Sequence, residues 1–455
     1  METLRTSSYM IPVKLDSEEG KYILIHGYTG AIDIVTENLL NQIKHIETEN
    51  TLSEETLHTL QKRGYITNKT EEQEYTYVKR IVKALHQSRM LLNNNYTWVV
   101  TYNCNFRCPY CFENRQRKDG QTYLTLSKEQ IDNIYSNIKN LSSPKTPNSK
   151  IMTLYGGEPL LKQNFEIVNY IVEEGQKRGY KFKAITNGYD LDAFADLLSP
   201  NAIYQLQITM DGTKYIHNQR RIHYQGYETF DKIIHNIKIA LNKDVEVIIR
   251  MNTDENNVKE LAKLKNFFSQ NGFSSNSKFS IYSAFLRDNE SISFMEHKHI
   301  DFISAKSFIT KHEENHVLEL CNDYGLSNVF YKAMTESKSF IFRPMFCLAQ
   351  GGGYVFAPFN KIYPCWEVVG NDNEIIGTYQ KNNIIWNSKT VEKWRSIDVS
   401  KNLKCSHCRY ALFCGGGCPA QTATEHNKYC IFLRKIFDKS INRAYARYYS
   451  NNINN

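Results

Sequence analysis

No apolar run in the chain approaches the roughly 18 residues that a membrane-spanning helix needs. The first residues, Met-Glu-Thr-Leu-Arg-Thr-Ser-Ser, lack the apolar core of a secretory signal. Repeats and low-complexity segments are absent as well. The formal net charge of +8 is not gathered into a basic stripe interleaved with aromatics, so a solvated surface is expected and not a nucleic-acid site. These absences predict a cytoplasmic protein with neither a membrane nor a nucleic acid as partner. Cysteine is scarce and unevenly placed. Of eleven in 455 residues, three lie within positions 104–111, seven within positions 347–430, and Cys321 stands alone. In a cytoplasmic chain such clusters point to metal ligation or redox chemistry before disulfides. A hydrophobic share of 41% with 23% charged residues fits a folded globular chain, and the length implies two to four domains.

The rest of the chain is organised around positions 101–113, Thr-Tyr-Asn-Cys-Asn-Phe-Arg-Cys-Pro-Tyr-Cys-Phe-Glu. Cys104, Cys108 and Cys111 form a C-x3-C-x2-C triplet. A four-iron cube takes one thiolate per iron, so a triplet leaves one iron open to a ligand that is not protein. A structural zinc or iron site asks for a fourth Cys or His close by; a zinc knuckle with a distant fourth ligand is the alternative. With an aromatic residue before its third cysteine, the loop resembles the signature of the radical S-adenosylmethionine (radical SAM) enzymes. The resemblance implies that the amino and carboxylate groups of SAM chelate the open iron. Tyr110 looks like the family residue whose backbone contacts adenine.

Residues 95–287 alternate strands and helices. Six β-rich runs stand out: Trp98–Tyr102, Ile151–Tyr155, Tyr180–Ile185, Tyr204–Thr209, Val245–Met251 and Phe279–Phe285. Ser127-x-x-Gln130 is a capping box for a helix with Ile131, Ile134, Ile138 and Leu141 on one face. Phe165–Val172, Leu191–Leu198, Phe230–Leu241 and Val258–Phe268 read as further helices. The fold class is therefore α/β with a parallel sheet. Six units are too few for an eight-unit barrel and match the partial (β/α)6 barrel of the radical SAM fold.

Motifs follow the strands in order, at the carboxyl ends where parallel α/β folds place ligands. Gly156-Gly157-Glu158-Pro159 follows the second run; adjacent glycines permit close backbone approach, and Glu158 suits a cation. In the family, the matching tetrapeptide holds the methionyl ammonium of SAM. Thr186-Asn187-Gly188 ends the third run, and its family counterpart lies near the ribose. Thr209-Met-Asp211-Gly212 ends the fourth and is followed by His217-x3-Arg221. This resembles the family's Ser-x-Asp-Gly run, with Thr for Ser, and Arg221 is suited to fork onto the SAM carboxylate. Arg250-Met-Asn252 ends the fifth run and looks like the family's Arg-x-Asn.

Residues 331–455 hold the second cysteine system: Cys347, Cys365, Cys405-x2-Cys408-x5-Cys414-x3-Cys418 and Cys430. A C-x2-C pair suits zinc as well as iron, but seven thiolates do not divide into four-thiolate zinc sites. The spacing resembles the SPASM extension of peptide-modifying radical SAM enzymes, which carries two auxiliary [4Fe–4S] clusters. The resemblance assigns Cys405, Cys408, Cys414 and Cys430 to the distal cluster and Cys347, Cys365 and Cys418 to the nearer one. Cys321 is either its fourth ligand or a buried structural cysteine. Where the family has Gly five residues before the second of these cysteines, this chain has Asn360, which tolerates the left-handed turn conformation.

The first 90 residues read as a separate module. Met10–Leu15, Tyr22–Ile25 and Ala31–Val35 are β-rich. Helices are expected around Leu39–Ile46, after the cap at Ser53, and after the capping box Thr70-x-x-Gln73. The order of elements resembles the winged-helix module that binds precursor-peptide leaders in peptide-modifying enzymes. The domains expected are thus 1–90, 91–330 and 331–455.

The resemblance implies an oxidoreductase. The first cluster, reduced by a donor such as ferredoxin or flavodoxin, cleaves SAM to methionine and a 5′-deoxyadenosyl radical that takes hydrogen from a substrate carbon. Three [4Fe–4S] clusters and SAM are the expected cofactors, and a ribosomal precursor peptide the expected substrate. Sulfatase-maturing relatives carry Asp, as proton acceptor, directly after the cysteine matching Cys365. Here Trp366 stands there, with Glu367 next as a weak candidate for an acid–base role. The expected product is a thioether crosslink from a Cys sulfur to a peptide carbon, of the sactipeptide or ranthipeptide type. The alternatives are a carbon–carbon crosslink, formylglycine formation in a sulfatase, and a non-enzymatic iron–sulfur electron carrier.

Overall fold

The structure, a computed structural model, describes residues 4–90, 94–113, 125–141, 147–286, 301–336, 340–420 and 422–453. Two compact units emerge. One comprises Met1–Met90, Asp323–Gln350 and Arg395–Asn455; the other comprises Leu91–Asn322 and Gly351–Trp394.

In the first unit, β1 (Arg5–Thr6) pairs with β5 (Ile66–Thr67), and β2 (Met10–Lys14), β3 (Lys21–His26) and β4 (Ile32–Thr36) form an antiparallel meander. The helices Glu37–Lys44, Glu54–Arg63 and Glu71–Met90 follow. The last two start where the sequence marks them, and the first begins at Glu37 behind a Thr36 cap that the sequence reading did not name. Ser53 accepts from the Thr56 amide at 3.3 Å, and Thr70 and Gln73 exchange reciprocal bonds of 2.8 and 3.2 Å. The short pairing of β1 with β5 was not expected; two-residue strands carry no periodicity. The sheet edge β4 borders a cavity of about 700 Å³ lined by Ile32, Asp33, Ile34, Arg63 and Tyr445 among others.

This module shares a core with the cysteine-rich end of the chain. Tyr9, Val78 and Val82 pack with Cys405, Ala411 and Leu412. The Tyr9 hydroxyl donates to the Ser406 carbonyl at 3.1 Å, and Arg409 donates to the Met10 carbonyl at 3.0 Å. A Cβ on Gly27 would stand 2.5 Å from the Arg409 carbonyl oxygen, so only glycine permits this approach. Deleting residues 1–90 is therefore expected to expose that core and yield insoluble or iron-poor protein, read by solubility and iron content. A soluble deletion protein with unchanged iron would show the module to be independent.

The second unit is built on a ten-stranded sheet. Strands β6 (Asn94–Val99), β7 (Asn148–Tyr155), β8 (Lys181–Thr186), β9 (Ile203–Thr209), β10 (Glu246–Thr253) and β11 (Phe279–Phe285) pair parallel in sequence order. This is the partial α/β barrel expected. Strands β12 (Gly353–Ala357), β13 (Lys361–Tyr363), β14 (Gly377–Gln380) and β15 (Asn383–Trp386) extend it beyond β6; β12 runs parallel to β6 and the others are antiparallel. The β12–β13 hairpin turns through Phe359 and Asn360 at φ of 64 and 60°, the left-handed geometry expected of Asn360. Register gives the sheet two unlike faces. Trp98, Leu154, Ala184, Leu206 and Val247 share an apolar row. The neighbouring row on the opposite face, Thr97, Thr153, Lys183, Gln205 and Glu246, is polar. Thr209 and Arg250 continue the polar face towards the strands' carboxyl ends. The helices Lys128–Leu141, Phe165–Lys177, Phe230–Asn242 and Glu260–Gln270 lie between strands in the chain. The stretch read as a helix at Leu191–Leu198 is instead a 3-10 helix, Leu191–Leu197, whose buried Leu191, Phe194 and Leu197 recur every third residue, the period of a 3-10 helix.

Candidate active site and cysteine centres

The loop after β6 carries Cys104, Cys108 and Cys111, and hydrogen bonds lace it to three other segments. Gly157 N donates to Thr101 O at 2.9 Å and Glu158 N to Asn103 O at 2.7 Å. Asn187 Nδ2, after β8, donates to Asn105 Oδ1 at 2.7 Å. Arg107 N donates to Ile222 O at 2.7 Å, and Tyr224 N to Asn105 O at 2.9 Å. The cysteine loop is thus fixed by the ends of two strands and by the segment 222–224, all remote from it in sequence.

The Gly-Gly-Glu-Pro segment has a structural reason for both glycines. A Cβ on Gly156 would meet Thr101 O at 2.4 Å, and one on Gly157 would meet Asn103 O at 2.4 Å. Glu158 is buried at 2% exposure. Its carboxylate accepts from Thr186 Oγ1 and Asn187 N, both at 2.6 Å, and from Leu160 N at 2.9 Å. Burial pushes its pKa up to about 7 against the pull of those bonds. Glu158 therefore joins the ends of β7 and β8, and Thr186 and Asn187 are its direct partners.

A second network lies behind the loop. The Tyr110 hydroxyl bonds the buried Asp211 carboxylate, and accepts from Arg221 Nη1 at 3.1 Å and Asn252 Nδ2 at 3.4 Å. Asn252 N donates to Asp211 Oδ1 at 3.1 Å, and Arg250 Nε donates to Asn252 Oδ1 at 3.0 Å. Burial is the main reason that the Tyr110 phenol stays protonated, with its pKa well above the usual value. The structure thus brings Tyr110, Asp211, Arg221, Arg250 and Asn252 into one network, while Gly156, Gly157, Glu158, Thr186 and Asn187 form the facing one. Thr209 shares the polar sheet face with Arg250.

Sequence reasoning missed two members. Arg220 is buried at 2% exposure, lies 5.4 Å over the Tyr110 ring and bonds Asp254 Oδ2 at 2.6 Å. Asp254 is fully buried and lies two residues past Asn252. Their only sequence signal is position beside the motifs. Tyr155, at the end of β7, was also missed. Its ring stacks on Trp366 at 5.7 Å, and burial first, then the charges of Glu113, Glu367 and Cys111, hold its pKa well above the usual value. Glu367 is thereby placed in the same surroundings as Cys111.

The second cysteine system divides between the units. Cys365 and Cys321 belong to the barrel unit; Cys347, Cys405, Cys408, Cys414, Cys418 and Cys430 belong to the other. Burial pushes the Cys405 and Cys414 thiols up to about 12, and Cys408 and Cys430 add to both effects, so the four sulfurs lie within electrostatic reach of one another. Gly415 lets the chain after Cys414 approach Met345 and Phe346, next to Cys347; its Cβ would stand 2.5 Å from the Met345 carbonyl oxygen. Among the described residues no three His, Cys, Asp or Glu side chains converge as they would on a single ion.

Residues 98–268 match the family model of the Radical SAM superfamily. Those residues form a Radical SAM domain. A cysteine-type anaerobic sulfatase-maturating enzyme of Clostridium novyi is 23% identical over 381 residues, covering 75% of this chain and 93% of the relative. A GTP 3′,8-cyclase of Campylobacter fetus is 31% identical over 147 residues, 31% of this chain and 41% of the relative. Among solved structures, anSMEcpe with bound AdoMet and Cp18Cys peptide superposes with a TM-score of 0.55 at 19% identity, covering 78% of this chain and 99% of that one. Streptococcus suis SuiB bound to S-adenosylmethionine gives a TM-score of 0.50 at 14% identity, covering 92% and 97%. At such identities the structural likeness is one of fold.

The residues of this domain and of the cysteine-rich end fit the groups that the superfamily binds. Arg221, under the electrostatic influence of Cys108, has a buried Nε with no hydrogen-bond partner among the described residues, suited to an anionic ligand. The set Cys405, Cys408, Cys414 and Cys430 offers four thiols. Thiols that burial keeps protonated become ligands only when a metal displaces the proton.

Proposed function

We propose that this radical SAM enzyme modifies a ribosomally made precursor peptide and installs a thioether from a Cys sulfur to a peptide carbon. The observation that carries the peptide reading is the similarity to a sulfatase-maturating enzyme over 93% of that relative's length. On this reading Cys104, Cys108 and Cys111 hold a [4Fe–4S] cluster with an iron open to SAM. When bound, cluster and SAM together supply hydrogen-atom abstraction. Arg221 pairs with the SAM carboxylate. Tyr110, Asp211 and Asn252 hold Arg221 in place, and Glu158 fixes the strand ends around the amino group. Cys405, Cys408, Cys414 and Cys430 are assigned to a distal auxiliary cluster, and Cys347, Cys365 and Cys418 to a nearer one. Residues 1–90 take the leader, which adds a strand to the edge at β4 beside its cavity.

Trp366 supports crosslinking over formylglycine formation, since it stands where the maturases have their proton acceptor. Glu367 is then an auxiliary proton acceptor at most. Thioether formation takes two hydrogens from the peptide. One leaves as an atom; the other leaves as a proton and an electron, which the auxiliary clusters accept. Anaerobic incubation of precursor, SAM and reductant should give a product lighter by about 2 Da per link, a mass set by that oxidation. The linked cysteine should resist iodoacetamide and disulfide reductants. A mass loss with every cysteine still alkylated identifies a carbon–carbon link instead. Formylglycine in a sulfatase peptide, with no change in the precursor, establishes the maturase reading that the curated relatives favour.

A further inference from the structure

We propose that the segment 222–227 is the docking surface for the enzyme's one-electron donor, a small acidic carrier of the flavodoxin or ferredoxin class. The proposal rests on the reading of Cys104, Cys108 and Cys111 as ligands of the SAM-binding cluster. Ile222, Tyr224 and Tyr227 are exposed to 39, 57 and 58%, an apolar and aromatic group within six residues of chain. Exposed aromatics grouped in this way mark interaction surfaces, whereas single ones do not.

The segment is the immediate neighbour of the cysteine loop. Residues Asn105, Phe106 and Arg107, between the first two cysteines, are bonded to it by the Ile222 and Tyr224 backbone contacts, and Phe106 forms a β-bridge with His223. Phe106 N in turn donates to Cys104 Sγ at 3.3 Å. Rings connect the surface to the loop. Tyr224 and Tyr227 lie 4.8 and 5.1 Å from His223, and His223 lies 6.1 Å from Phe106. Electron transfer weakens steeply with distance, so a donor has to approach a face that abuts the irons. This face does so through packed rings and no more than a few residues.

Charge selects the class of carrier. The chain carries +8 overall. At the patch, Arg107 is exposed, with its guanidinium 5.6 Å over the Tyr224 ring and its Nη1 held by the carbonyls of Cys104 and Phe106, both at 2.8 Å. Lys214 nearby is tied to Glu228 and Asp231, and Lys232 to Asp190 and Asp192, so those carboxylates offset both lysines and Arg107 carries the positive charge of the patch. A cation over a tyrosine at the centre of an aromatic patch complements an acidic partner.

The test compares two reductants on the full-length reconstituted protein, reduced flavodoxin and dithionite. Tyr224→Ser with Tyr227→Ser should lower flavodoxin-driven SAM cleavage about tenfold, the effect of losing interface anchors. Binding of oxidised flavodoxin, read by calorimetry, should weaken by a similar factor. Dithionite-driven cleavage and iron content should stay within about twofold of wild type, and the wild-type flavodoxin-driven rate should fall as salt rises. An equal loss with both reductants would overturn the proposal, because the segment would then only support the cysteine loop. Unchanged flavodoxin binding, or weakened precursor binding in its place, would overturn it too. A wild-type protein that fails to cleave SAM even with dithionite would instead sink the radical SAM reading itself.

Discussion

Replacing Cys104, Cys108 and Cys111 by Ala should leave a folded protein that lacks about four of about twelve irons and cleaves no SAM above background, since one cube needs those thiolates. The fold should survive because backbone bonds to remote segments also hold the loop. Bonds from Gly157 to Thr101, Glu158 to Asn103, Arg107 to Ile222 and Tyr224 to Asn105 are all backbone. The melting temperature should therefore shift little. Replacing Cys405 and Cys408 should behave differently. These residues pack against Val78, Val82 and Leu412 in a shared core, so iron loss there should be accompanied by lower thermal stability. Iron analysis, deoxyadenosine formation and a melting curve on each variant decide the matter. A triple variant that keeps its full iron, or still cleaves SAM, would refute the ligand assignment.

Much of this was legible in the sequence because it is written in short-range patterns. Five of the six parallel strands announce themselves by β-rich runs between amphipathic helices, and β11 coincides with the run Phe279–Phe285, whereas β6, Asn94–Val99, begins four residues before the run Trp98–Tyr102 and shares only Trp98 and Val99 with it. The caps at Ser53, Thr70 and Ser127 are local hydrogen-bonding devices that sequence spacing specifies. The site motifs were legible as residues but not as partners. That Glu158 is held by Thr186 and Asn187, or Tyr110 by Asp211 and Asn252, depends on strand register over long separations, which no local pattern encodes. Arg220 and Asp254 escaped for a related reason: an Arg and an Asp look like surface residues until the fold buries both. The grouping of residues 1–90 with the chain's end escaped because tertiary packing alone decides it, through contacts such as Gly27 against Arg409.

Substituting Gly157 by Ala should cripple SAM cleavage while sparing the cluster. Its Cβ would stand 2.4 Å from the Asn103 carbonyl oxygen and 2.5 Å from that of Tyr102. Both are backbone atoms of the segment leading into Cys104, so relief has to come from moving the loop and not a side chain. Overpacking of this kind costs about 1–3 kcal/mol. The larger consequence is geometric, because a displacement near 1 Å at a positioned centre lowers rate by about a hundredfold. The control is Gly272→Ala. Gly272 sits at φ +78° with nothing within 4 Å of its added Cβ, so alanine there meets conformational strain alone. That strain costs about 1–2 kcal/mol, a stability loss similar to the first variant's, with no effect on the loop. The pair thus separates stability from placement. Gly157→Ala should keep its iron, melt within a few degrees of Gly272→Ala, and form deoxyadenosine about a hundredfold more slowly. Equal cleavage rates in the two variants would show that the close contact between Gly157 and the cysteine loop does not set the geometry of the SAM site.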